Sequence, residues 1–116
     1  MPFYIMEETM SSNLTEIIQS HDAVLVLFGA PSCRVCGDIK PHLFEAVQKA
    51  YPSMQTVYIN CNDEVDTCAQ RGVFSLPVVQ VYLQGQKFVE KMRVFSIAGL
   101  IDELARPMHL MQGDEA

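Results

Sequence analysis

The sequence predicts an α/β domain, a central mixed sheet of four to five strands with helices on both faces, and three observations predict it. Residues 23–28, Ala-Val-Leu-Val-Leu-Phe, form an unbroken apolar run, as a strand covered on both faces requires. From Cys33 onward the apolar residues Val35, Ile39, Leu43, Ala46, Val47 and Ala50 recur at helical spacing and form one stripe. The elements run β-α-β-α-β-α-β-β-α, and strands that alternate with helices before a closing hairpin pair partly in parallel.

Each element has its own signal. Residues 3–6 read as a short first strand. Asn13 and Glu16, three apart, read as a capping box that opens a helix with Leu14, Ile17 and Ile18 inward, ended by His21-Asp22. After the apolar strand, residues 29–32 form a turn. The helix that follows contains Pro41, which cannot donate to the preceding turn and should kink it; Tyr51-Pro52-Ser53 stops it. Residues 56–60 are a second β-rich run, and residues 64–71 a short helix closed by Gly72. Residues 78–83, a turn at Gln84-Gly85 and residues 87–93 read as a hairpin. Ser96 can cap a last helix carrying Ile97, Leu100, Ile101 and Leu104, with Pro107 expected to end it and residues 108–116 expected to fray.

A chain of 116 residues accommodates one domain, spanning 1–116, with residues 1–10 as an N-terminal strand or extension. With 49% hydrophobic residues it can build a core without metal or disulfide staples. A net charge of −6 disfavours phosphate backbones and anionic lipid, so neither nucleic acid nor membrane is an expected partner. No segment is long enough to span a bilayer. The first lysine or arginine is Arg34, and Glu7 and Glu8 interrupt the apolar start, so the opening does not read as a secretory signal. The expected location is cytoplasmic and the expected state a monomer. In that compartment structural disulfides are rare, so the four cysteines read as redox, metal-binding or buried thiols.

Cys33 and Cys36 are the informative pair, because a strand, a short turn and a helix start bring them into place. Backbone N–H groups at a helix start stabilise an anion, which favours the Cys33 thiolate. Cys36, one turn further in, can attack a mixed disulfide at Cys33. A Cys-x-x-Cys can also be half of a zinc site, but Cys61 and Cys68 lie seven apart and form no second knuckle, so neither metal nor cofactor is expected. Cys61 and Cys68 read most simply as small buried apolar residues, with a second disulfide or a regulatory thiol as the alternative. The histidines His21, His42 and His109 are scattered, without an evident catalytic partner.

With these residues in place the chain resembles the thioredoxin family from about residue 14 to residue 104. The resemblance is carried by the strand at residues 24–28, by Ala30-Pro31-Ser32-Cys33-Arg34-Val35-Cys36, by Pro41, and by Gly72-Val73-Phe74-Ser75-Leu76-Pro77. It implies the thioredoxin fold, a cis Leu76–Pro77 bond beside the cysteines, and a substrate segment paired with the backbone of Leu76. The implied activity is that of a protein-disulfide reductase, with Cys33 as nucleophile and Cys36 as resolving thiol. The implied partners are protein thiols and disulfides, with a thioredoxin reductase or a glutathione system upstream. Ser32, Leu76, Pro77 and Arg93 are the expected substrate-binding residues; Arg34, Val35 and Pro77 are expected to tune the redox pair.

The chain also departs from the family pattern. Ser32 and Gly29 stand where tryptophans are common, and Arg34-Val35 replaces Gly-Pro between the cysteines. Leu27 takes the place of a buried aspartate, Tyr58 that of its lysine neighbour, and Arg93 that of a flexible glycine. Without the aspartate, release by Cys36 is expected to be slow and the mixed disulfide long-lived. The alternative function is therefore an adaptor on this scaffold, docking one partner through Ser32, Leu76, Arg93 and Phe95.

Overall fold

The computed structural model describes residues 11–93 and 95–111. They form helix α1 (Ser11–Ser20), strand β1 (Ala23–Gly29), helix α2 (Arg34–Ala50), strand β2 (Gln55–Asn60), helix α3 (Val65–Gln70), strands β3 (Val78–Leu83) and β4 (Gln86–Met92), and helix α4 (Ile97–Met111). The four strands stand in the order β2-β1-β3-β4, with β1 parallel to β2 and antiparallel to β3, and β3 antiparallel to β4. This is the mixed sheet with helices on both faces that the sequence predicts. The strand expected at residues 3–6 lies outside the described residues.

β1 lies between two hydrogen-bonded neighbours, and all seven of its residues are buried. Alternate side chains leave opposite faces of a strand, which divides the interior in two. Leu25 and Leu27 pack with Leu43 and Val47 of α2 and with Leu100 and Leu104 of α4. Val24, Val26 and Phe28 pack with Leu14 and Ile18 of α1 and with Cys68 of α3. Each large apolar side chain buried in this way contributes about 1.5–3 kcal/mol relative to exposure, so the apolar run fixes β1 at the centre.

Several boundaries are set by identifiable contacts. Gly72 N–H and Val73 N–H donate to the carbonyls of Ala69 and Cys68 and close α3 in a Schellman arrangement. Gln84 (φ 52°) and Gly85 (φ 82°) make the hairpin turn, where a two-residue connection matching the strand twist needs positive φ at both positions. Ser96 Oγ accepts from Gly99 N–H at 2.9 Å at the start of α4. Two expectations need correction. α1 begins at Ser11, so Asn13 falls inside its first turn and not at the boundary. α4 runs through Pro107 to Met111, because Met108 is buried and Met111 packs against the same core, extending the apolar stripe past the proline.

Candidate active site

β1 ends at Gly29, and the turn after it is closed by a hydrogen bond from Cys33 N–H to the Ala30 carbonyl at 3.0 Å. Cys33 is the N-cap of α2, with extended backbone (φ −93°, ψ 102°). Its sulfur takes the capping role usually filled by an oxygen, accepting from the backbone N–H of Cys36 at 3.2 Å. Cys33 and Cys36 are joined in a disulfide across a Cα separation of 5.3 Å. Cys33 is half-exposed whereas Cys36 is 1% exposed, so an incoming sulfur can approach only the first. The first turn of α2 holds no acidic residue; Arg34, exposed, is its first residue.

The floor of the site is tight. A Cβ on Gly29 would stand 2.9 Å from Cys36 Cβ, 2.9 Å from the Tyr58 hydroxyl and 3.1 Å from Cys36 Sγ. Glycine is needed there because the cysteine and the tyrosine occupy the space that any side chain would take. Leu27 is fully buried and pairs in register with Tyr58 on β2. Lys40 of α2 holds its Nζ 4.4 Å from the centroid of the Tyr58 ring.

The peptide bond between Leu76 and Pro77 is cis. Val35, Ser75, Leu76, Pro77 and Arg93 line one groove beside the disulfide. Val35, Leu76, Pro77 and Arg93 of the expected site thus come together. Ser32 and Arg34 are exposed at the turn and helix start but do not line that groove. Arg93 is exposed and has a φ of 62°, a conformation that favours glycine, and its N–H donates to the Pro77 carbonyl at 2.7 Å. Phe95, expected in the docking surface, packs against the core instead and does not line that groove.

The structure adds residues that sequence reasoning missed. Ser75 lines the groove, and Phe74, the residue before it in the chain, is 81% exposed; their place directly before Leu76-Pro77 was the available signal. The hydroxyl of Tyr58 and the ammonium of Lys40 were also missed. Tyr58 was marked only as the occupant of the family's lysine position, and the i, i+4 spacing of Cys36 and Lys40 was the trace of the lysine. Cys61 and Cys68 are not separate buried thiols but a second disulfide, with a Cα separation of 5.8 Å. The reason is positional: Cys61 follows the end of β2, tied to β1 by its N–H to the Gly29 carbonyl at 2.8 Å, and α3 turns Cys68 back toward it.

Residues 5–106 match the family model of thioredoxin, and the chain belongs to the thioredoxin family. Among its relatives, thioredoxin-like protein YdfQ of Bacillus subtilis is 24% identical over 102 residues, 88% of this chain and 90% of that protein. Thioredoxin 1 of a Nostoc species is 30% identical over 79 residues, 68% of this chain and 74% of that one. The solved thioredoxin of Plasmodium falciparum superposes with a TM-score of 0.76 at 23% identity, covering 85% of this chain and 98% of that one. Membership of this family, with Cys33 and Cys36 closed into a disulfide at a helix start, supports thiol–disulfide oxidoreductase activity.

Proposed function

We propose that the protein is a dithiol–disulfide oxidoreductase that reduces protein disulfides, with Cys33 as nucleophile and Cys36 as resolving thiol. The observation that carries this reading is the placement of Cys33 Sγ at the N-cap of α2, accepting the Cys36 N–H. Once the disulfide is reduced, that N–H and the positive end of the helix favour the Cys33 thiolate over the thiol. Arg34 adds a positive charge at a helix end where positive charge is otherwise unfavourable, which suits a site that holds an anion. The Cys33 thiolate attacks a partner disulfide, one partner sulfur leaves as a thiol, and Cys36 then displaces the other to restore the Cys33–Cys36 bond. The dithiol loses two electrons and the partner gains them.

The partner segment lies along Ser75, Leu76 and Pro77 in extended form, where Arg93 disfavours basic or bulky residues. A thioredoxin reductase or the glutathione system returns the electrons, and no cofactor is required. Insulin reduction driven by dithiothreitol tests the reading: turnover that Cys33→Ser abolishes is the expected result, and absence of turnover in the parent overturns it. One observation favours a second reading, a docking module with little turnover. Val35, 52% exposed, lines the groove, and Phe74, one residue before Ser75 in the chain, is 81% exposed, apolar surface of the kind a protein partner uses.

A further inference from the structure

Resolution by Cys36 requires its sulfur to lose a proton where water has almost no access. Cys36 is 1% exposed, and burial disfavours the thiolate. Leu27, fully buried on β1 two residues before Gly29, has no group that accepts a proton. Its partner in register on β2 is Tyr58, and register partners in a parallel pair point to the same face, so the tyrosine packs against the α2 side of the sheet. The Tyr58 hydroxyl and Cys36 Sγ both lie within 3.1 Å of one point, the position a Gly29 Cβ would occupy. They border one small space, within reach of each other directly or across one water. Unlike Leu27, which is fully buried, Tyr58 is only half-buried. Lys40, one helical turn after Cys36, places its ammonium 4.4 Å from the centroid of the tyrosine ring, near enough to favour negative charge on the phenol.

We propose that Tyr58 relays the Cys36 proton to solvent as Cys36 attacks the mixed disulfide, with the Lys40 ammonium stabilising the charge that develops on the phenol oxygen. The proposal rests on the exchange chemistry above and adds the proton's route. The Cys36 S–H bond breaks and its proton passes to Tyr58 Oη, whose own hydroxyl proton leaves to water, so tyrosine ends as a neutral phenol. The freed electron pair on Cys36 forms the bond to Cys33 Sγ. The bond between Cys33 and the partner sulfur breaks, and its pair leaves on the partner sulfur, which takes a proton from water. Gly29 belongs to the same device, since any side chain there would wedge the hydroxyl and the sulfur apart.

Tyr58→Phe keeps the ring under Lys40 and removes only the hydroxyl. In quenched mixing of the reduced protein with a disulfide peptide, attack by Cys33 should be unchanged, while resolution should slow by about 10²-fold, the low end of general acid–base effects. Lys40→Met should slow resolution by about two- to fivefold, as loss of a cation–π contact at a part-exposed site does. A second readout needs no partner disulfide: in reduced Cys33→Ser protein, iodoacetamide alkylation of Cys36 at fixed pH should slow about tenfold when Tyr58→Phe is added. Tyr58-dependent alkylation in a protein that forms no mixed disulfide supports the relay and removes the exchange reading. Parent-like resolution and alkylation in Tyr58→Phe overturn the relay. Should that variant fail to fold, parent-like alkylation of Cys36 in Lys40→Met overturns it instead.

Discussion

The backbone N–H of Arg93 donates to the carbonyl oxygen of Pro77 at 2.7 Å, and Arg93 takes a φ of 62° to do so. This bond joins the end of β4 to the residue that follows the cis peptide and makes one wall of the groove. For a long side chain the left-handed region costs about 1–2 kcal/mol. Arg93→Gly removes that strain but adds about 0.4–1 kcal/mol of freedom to the unfolded chain. Denaturant unfolding should therefore show Arg93→Gly more stable by about 0.5–1 kcal/mol. Its rates should also spread across a wider panel of disulfide proteins than those of the parent. A variant less stable than the parent, with unchanged rates, would contradict both expectations.

Much of the site was legible because it is written in local patterns. The apolar run fixed β1, the apolar stripe fixed α2, and the break between them placed Cys33 at the helix start. Arg93 was legible as the occupant of a glycine position, and its positive φ is the physical content of that reading. Other features depend on where distant elements meet. Tyr58 was legible as the occupant of a lysine position but not as a neighbour of Cys36, because nothing in a strand pattern tells which atom its side chain brings against a helix. Cys61 and Cys68 looked like separate thiols because their pairing needs the strand end and α3 to turn toward each other. Pro107 looked like a stop because its missing N–H is a local signal, whereas the burial of Met108 that holds the helix is a tertiary one.

The second disulfide closes a loop with seven residues of separation. Loop-closure entropy for a ring of that size corresponds to about 2–3 kcal/mol. The double variant Cys61→Ser, Cys68→Ser should lose about that much in urea unfolding, and more if the buried serine at 68 goes unpaired. Stability equal to the parent would mean that the bond contributes nothing to the fold.

Leu27→Asp places a carboxylate where Cys36 has none. It should speed resolution of a mixed disulfide in the Tyr58→Phe background more than in the parent, because there it replaces a missing proton acceptor and does not duplicate one. Burial of the new charge should cost stability, visible as a lower Tm that recovers as the carboxylate is protonated in acid. Equal acceleration in both backgrounds, read by quenched mixing, would separate the carboxylate from the tyrosine route.

Tyr51 ties α2 to α4 through its hydroxyl, which donates to the Ile101 carbonyl at 2.7 Å. Burial, assisted by the Asp102 charge, raises its pKa above the usual 10.0. The neutral form is thus favoured in the folded state, so this contribution is full below pH 10 and fades as pH rises through the folded value. Tyr51→Phe should cost about 1 kcal/mol at pH 7 and flatten the fall in stability above pH 10, as followed by urea unfolding across that range. An alkaline limb as steep as the parent's would assign that limb to other groups.

Exchange through this site depends on Cys33, and not Cys36, being poised as a thiolate by the start of α2. The direct measurement is the rate of iodoacetamide alkylation at each of the two reduced thiols as a function of pH, resolved by mass spectrometry. Cys33 should show an apparent pKa below the free-thiol value of about 8.5, and Cys36 one at or above it. Equal values for the two thiols, or a lower value at Cys36, would contradict it.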